Sequence, residues 1–307
     1  MLPHAPGFWG PVTSSVDWCE SNYVHSYYVA ELFNTLSSLA MVAMGALGFW
    51  LHRGTLERRF LLAFALVALV GIGSVAFHGT LRFELQMLDE LPMLYTVIVL
   101  VYALVEDEKQ RKYGRWFPWA LFAYGVVATY LCAFTRGQAQ FLAFQLSFGL
   151  LELFSIYRAH RLFRRSTDPV VRRLFRRGIG LYAAALIAWF VDIRFCGFVS
   201  LTLPRLGLAN PELHAVWHVV VSLGLYLLIL QIAYERQLVL GARPELHRVL
   251  RVIPYVGSSG ERELRSTHGP RHVRDVVRRG PRTREVVVFA EGTLTRASAE
   301  ETGERHD

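Results

Sequence analysis

Two histidines, His214 and His218, stand four residues apart in the apolar stretch LHAVWHVVVSLGLYLLIL at 213–230. On a helix they share one face, and such a pair presents two nitrogens to a single metal ion. The stretch is long enough to cross a bilayer, where an unpaired polar group costs several kcal/mol. Something must satisfy those imidazoles. His78, in GSVAFHG at 73–79, supplies a third ring, and Ser74 lies one turn before it on the same face. Asp89, in QMLDELPM at 86–93, begins the next apolar block. Three neutral imidazoles with an open fourth position describe a catalytic zinc site, whereas a structural site is closed by four ligands. The HxxxH pair alone is a weak signal, since hydrogen bonding between helices also satisfies histidines. A proton relay in a transporter would use the same residue types without metal.

A second cluster lies in SSVDWCESNYVHSYYVAELFN at 14–34. Asp17, Glu20, Asn22 and Glu31 supply side-chain oxygens, and residues 1–52 contain no Lys or Arg to pair with them. Carboxylates, an amide and backbone carbonyls at irregular spacing suit calcium better than magnesium. The spacing is not that of an EF-hand, and an acidic lead-in favoured by a helix dipole is the ordinary reading. The three cysteines, Cys19, Cys132 and Cys196, permit three single pairings, among which the sequence does not choose.

The elements that must position these groups are membrane spans. The 307 residues are 53% hydrophobic, and the apolar residues fall in seven blocks of about 20, the length that crosses ~30 Å of hydrocarbon. They lie at 29–51, 60–79, 86–105, 116–134, 138–158, 178–199 and 213–234, and predict an all-α polytopic protein. Arg53, Arg58 and Arg59 mark the first connection, Lys109, Arg111, Lys112 and Arg115 the third, and eight arginines the fifth, at 158–177. The alternate connections hold Arg82, Arg136 and Arg205, one each. By the positive-inside rule this sets the N-terminus lumenal and the C-terminus cytosolic. The net charge of +8 thus reports topology and attraction to anionic headgroups, and no nucleic-acid partner is expected.

With that orientation, Glu31, Ser74, His78, Asp89, Glu90, Asp192, Arg194, His214 and His218 all fall toward the lumenal leaflet, on different spans. Snorkelling residues would scatter between both leaflets, so convergence implies a shared interior site. Glu152 is the exception, lying toward the cytosolic side. No cleavable signal peptide is evident, and the first span serves as its own insertion signal. The expected organisation is a lumenal segment at 1–28, a seven-helix unit at 29–234, and a basic cytosolic tail at 235–307 that composition marks as disordered.

WGPVTSSVDWCESNY, SVAFHGTL, LDELPMLYT, DIRFC and HAVWHVVVSLGLYL, in this order over residues 8–235, resemble the successive signatures of the alkaline ceramidases, closest to the phytoceramidase-type branch. These are seven-span intramembrane zinc amidases related to the adiponectin and progestin receptors. The resemblance implies zinc ligands at His78, His214 and His218, with Ser74 and Asp89 beside the metal-bound water. It implies calcium ligands at Asp17, Trp18 (through its carbonyl), Glu20, Asn22 and Glu31. It also implies a Cys19–Cys196 disulfide, leaving Cys132 free.

Under this reading a ceramide, dihydroceramide or phytoceramide within the bilayer is cut to a sphingoid base and a fatty acid. Asp89 would move the proton, and Ser74 would steady the developing oxyanion or orient the water. The family implies the endoplasmic reticulum or Golgi and no obligate protein partner. A zinc-containing receptor of the related family is the alternative, against which the N-terminal cluster and DIRFC argue.

Overall fold

The computed structural model describes residues 7–110 and 112–258. Apolar segments of bilayer length fold as helices because in hydrocarbon every backbone N–H and C=O must be paired within the segment. The helices are α1 Leu32–His52, α2 Arg58–Thr80, α3 Phe83–Val105, α4 Trp116–Phe134, α5 Gly137–Arg165, α6 Pro169–Arg205 and α7 Leu213–Val239. All seven contain a stretch long and apolar enough to cross a membrane. The chain is a polytopic membrane protein.

Glycines set which helices touch most closely. A Cβ at Gly45 or Gly71 would strike the opposing backbone between α1 and α2, and one at Gly224 would crowd the Tyr182 backbone on α6. At Gly73 it would collide with the Leu88 carbonyl, so this glycine lets α3 lie directly on α2, one residue from Ser74 and one from Asp89. Small residues are the usual means of close helix approach in lipid.

The helix ends depart from expectation around the fifth connection. The eight arginines at 158–177, expected as a loop, lie mostly on the helical ends of α5 and α6, which only 166–168 separate. Asp168 accepts the Val170 and Val171 amides at 2.7 and 3.2 Å, and Pro169 follows it at the first helical position, a strong start signal. Arg164 and Arg165 close α5, where cations favour the helix dipole. α6 is kinked at Phe195 (φ −119°, ψ 17°).

A second correction concerns the tail. α7 runs past 234 to Val239, and an antiparallel hairpin follows, β1 Pro244–Val249 paired with β2 Ile253–Ser258. An isolated two-stranded hairpin is marginal in water, and this one is held by the helices. The Tyr226 and Tyr234 hydroxyls donate to the Pro254 and Pro244 carbonyls at 2.7 and 2.9 Å. The Val256 amide donates to His52 Nε2 at 3.0 Å. Composition alone gives no view of such partners. The rest of the expected tail, 259–307, lies outside the described residues.

The segment before α1 folds over one end of the bundle. α2 stops at Leu81, which adopts a left-handed conformation (φ 52°) and is fully buried beside Ala30 and Phe77. Its carbonyl accepts the Thr13 and Ser14 amides, both at 3.1 Å. Glycine would adopt that backbone more cheaply but would leave the packing space empty.

Candidate metal centre

His78 sits in the last turn of α2, while His214 and His218 occupy the first two turns of α7. All three rings are buried. Their centroids are separated by 5.1 Å (His78–His214), 4.9 Å (His78–His218) and 4.6 Å (His214–His218). One candidate ligand nitrogen from each lies within 4.8 Å of the others, so the group could hold a metal ion. The rings expected to converge from sequence do converge.

The hydrogen bonds of these rings fix what remains free. His78 Nδ1 lies 2.5 Å from Glu31 Oε2; a carboxylate only accepts, so this nitrogen donates and Nε2 keeps its lone pair. Nε2 of His78 is buried with no partner among the described residues. His218 Nδ1 is 2.9 Å from the Ser37 hydroxyl, and its Nε2 is 3.3 Å from Ser74 Oγ. His214 is gripped by rings, stacked on Trp18 at 3.6 Å and on Trp217 at 5.1 Å, and its Nδ1 is buried without a partner among the described residues. Buried polar atoms are normally satisfied. Orphaned nitrogens on two converging imidazoles fit a metal cation as the missing partner, and outer carboxylate and hydroxyl partners are the usual way of orienting such ligands.

Ser74 is fully buried, 2.9 Å from the Ser38 hydroxyl. Asp89, in the second turn of α3, lines a cavity together with Trp18 and His214. The neighbouring Glu90 is tied to Gln86 and Gln140 at 2.8 and 2.5 Å, while Asp89 lines the cavity with no hydrogen bond from another side chain among the described residues. The cavity is otherwise mostly apolar and runs between α3, α5, α6 and α7 as far as Leu104, Ala159 and Ile232. From Asp89 to Leu104 is fifteen residues of α3, about 22 Å of helix, most of the thickness of a bilayer core.

The N-terminal segment is clamped over this end. Cys19 is joined to Cys196 by a disulfide with Cα atoms 5.3 Å apart, and Cys132 is free and buried. Asp192 accepts the Cys19 amide at 3.3 Å and the His214 amide at 3.2 Å. One carboxylate therefore fixes both the segment and one of the N–H groups that the start of α7 leaves without an intrahelical partner. Glu20 accepts the Phe33 and Asn34 amides at 2.7 and 2.8 Å, capping α1 from outside. Burial still pushes its carboxyl above the ordinary range.

Asn22 Nδ2 donates to Asp17 Oδ1 at 3.0 Å, while the side-chain oxygen Oδ1 of Asn22 is buried with no partner among the described residues. Glu31 takes three donors: the Trp18 amide at 3.3 Å, Asn34 Nδ2 at 3.0 Å and His78. The same carboxylate thus touches the acidic cluster and the histidine cluster. Burial, with Glu20, Asp192 and Glu31 nearby, raises Glu212 to about 7. This end carries an excess of buried carboxylate, and an orphaned amide oxygen inside the expected calcium set fits a hard cation.

Ser37, Ser38 and Asn34, which stand behind the histidines, escaped the sequence reading, as did the ring of Trp18. Their signal was available: Asn34 and Ser38 lie four residues apart inside an apolar span, and polar residues there face the bundle interior.

A sequence model of the Ceramidase family matches residues 10–256. The chain is 35% identical to alkaline ceramidase 3 of Mus musculus, over 81% of this chain and 94% of the mouse protein. It is 30% identical to an alkaline ceramidase of Arabidopsis thaliana, over 83% of this chain and 97% of the plant protein. A Saccharomyces cerevisiae alkaline ceramidase is 31% identical, over 76% and 80% of the two chains.

Proposed function

Because this chain belongs to the ceramidase family, we propose that it is an alkaline ceramidase that cleaves the amide of a bilayer-embedded ceramide, releasing a sphingoid base and a fatty acid. The observation that carries this reading is the three-histidine cluster with orphaned nitrogens at the head of a long apolar cavity.

We take the metal to be zinc, held by His78, His214 and His218. When bound it would bring water toward a pKa of ~7 and polarise the amide carbonyl. Amides resist hydrolysis because the carbonyl is weakly electrophilic and the amine leaves badly, so proton handling decides the rate. Asp89, uncommitted to any side-chain donor among the described residues, takes the proton of the attacking water and returns it to the leaving nitrogen. Ser74 donates toward the oxygen on which charge develops. Glu31 holds the His78 ring with Nε2 outward, and Trp18 and Trp217 hold His214. The cavity takes the acyl chain and keeps bulk water away.

Asp17, the Trp18 carbonyl, Glu20, Asn22 and Glu31 would hold calcium, bracing the N-terminal segment against the helix mouths. The arginine pattern supports a lumenal site with the C-terminal end cytosolic, and family membership supports the endoplasmic reticulum or Golgi. The test is one preparation of purified protein assayed for metal content and for fatty acid release from ceramide, dihydroceramide and phytoceramide. Zinc near one equivalent with release from at least one of them is expected. Zinc without hydrolysis of any of the three would favour a receptor and overturn the enzyme reading.

A further inference from the structure

Among the polar side chains in the deep half of the cavity, three are not turned back onto their own helix, and the hydrolytic chemistry does not use them. Glu152 and Ser155 on α5 and Tyr182 on α6 all line it. Tyr182 donates its hydroxyl to Glu152 Oε1, the only hydrogen bond of Glu152 among the described residues. The Ser155 hydroxyl is buried, 9% exposed, and has no partner among the described residues. The other deep hydroxyls are turned back onto their own helices: Thr96 donates to the Pro92 carbonyl at 2.7 Å and Ser222 to the Val219 carbonyl at 2.8 Å. Ser155 is not. A free hydroxyl and a half-used carboxyl inside a hydrocarbon-lined space are costly unless a polar ligand group arrives between them.

Their depth says where on a lipid that group would be. Asp192, which binds the His214 amide, and Tyr182 are ten residues apart on α6, about 15 Å of helix. α7 gives the same measure, because Gly224 packs on the Tyr182 backbone and lies ten residues beyond His214. An extended chain advances about 1.3 Å per carbon, given a C–C bond of ~1.5 Å, so the three side chains face roughly the twelfth carbon from the amide. A hydroxyl there could accept from Ser155 and donate to the free oxygen of Glu152, matching one donor and one acceptor.

We propose that Glu152, Ser155 and Tyr182 form a polar subsite for a hydroxyl carried mid-chain by the N-acyl group, which selects substrates by a feature far from the bond that is cut. The proposal rests on the ceramide reading above. It is tested with three ceramides of equal acyl length: unsubstituted, hydroxylated about twelve carbons from the amide, and hydroxylated next to the amide. The wild type turns over the mid-chain hydroxylated lipid with kcat/KM roughly tenfold above the unsubstituted one, the worth of one well-made buried hydrogen bond.

Ser155→Ala lowers that ratio severalfold, and Glu152→Leu with Tyr182→Phe, which removes the pair together, brings it to one or below. Neither variant changes the ratio for the lipid hydroxylated beside the amide. Retention of the corresponding free fatty acids by purified protein reads the subsite without turnover and follows the same order. A wild type that hydrolyses no ceramide would sink the enzymatic premise, and the binding order would still decide the subsite. Mid-chain preference in binding and turnover equal in wild type and both variants overturns the proposal.

Discussion

His52 and His78 are both fully buried histidines on apolar helices, at opposite ends of the bundle, and they mean different things. His52 Nδ1 lies 2.7 Å from the Gly48 carbonyl and Nε2 accepts the Val256 amide at 3.0 Å. A neutral ring has one donor and one acceptor, and both are used. His52 is a fastener between α1 and the hairpin. His78 uses one nitrogen on Glu31 and leaves the other bare beside two more rings. Burial and residue type are the same, and only the count of unsatisfied nitrogens tells structure from chemistry.

The largest effect expected from breaking this contrast is at His218. Its alanine variant should lose most bound zinc and all measurable ceramide turnover, read by metal analysis and fatty acid release. Full zinc occupancy in His218→Ala would remove this residue from the ligand set.

Asp89→Asn comes next. Zinc should be retained and turnover should fall by the 10²–10⁴-fold typical of losing a general base. The ascending limb of the pH–rate profile should flatten or shift while metal content stays constant. If excess zinc restores activity with the limb unchanged, Asp89 supports the metal and another group moves the proton.

Glu31→Gln probes the link between the two clusters at the site end. The amide keeps the shape but accepts the His78 proton without a charge, and losing an outer partner of a ligating histidine ordinarily costs 10–100-fold in metal affinity or activity. The same variant should lower calcium content. Normal zinc affinity together with normal calcium content would show that Glu31 belongs to neither shell.

The smallest effect on chemistry belongs to His52→Ala. The Val256 amide loses its acceptor, for which roughly 1–3 kcal/mol of stability is expected, seen as a lower melting temperature in detergent. Zinc content and turnover per folded molecule should stay within twofold of wild type. A loss of zinc here would erase the distinction between the two ends.

Legibility from sequence followed the same divide. His78, Asp89, His214 and His218 stood out because ionisable residues are costly at membrane depth, so their convergence could be inferred before any coordinates. His52 did not stand out, since its place at the end of a span gave no reason to ask what satisfied it. The hairpin at 244–258 is not legible as structure in the sequence, because its strands are short and their hydrogen-bond partners lie on α1 and α7. The α5 and α6 ends look like loop in the sequence because arginines mark topology more loudly than they mark secondary structure, although Asp168 before Pro169 is a legible start signal.

The order of the chain determined seven spans, the common end at which the expensive residues gather and the kind of chemistry they suit, because hydrocarbon imposes length and apolarity on every segment that crosses it. Contacts between segments distant in sequence decided the rest. Gly73 set α3 against α2 beside Ser74 and Asp89, and Asp192 fastened Cys19 and the start of α7. Glu31 took up one His78 nitrogen and left the other open. A hydrogen bond is a matter of a few tenths of an ångström and a direction, and no one-dimensional pattern carries either.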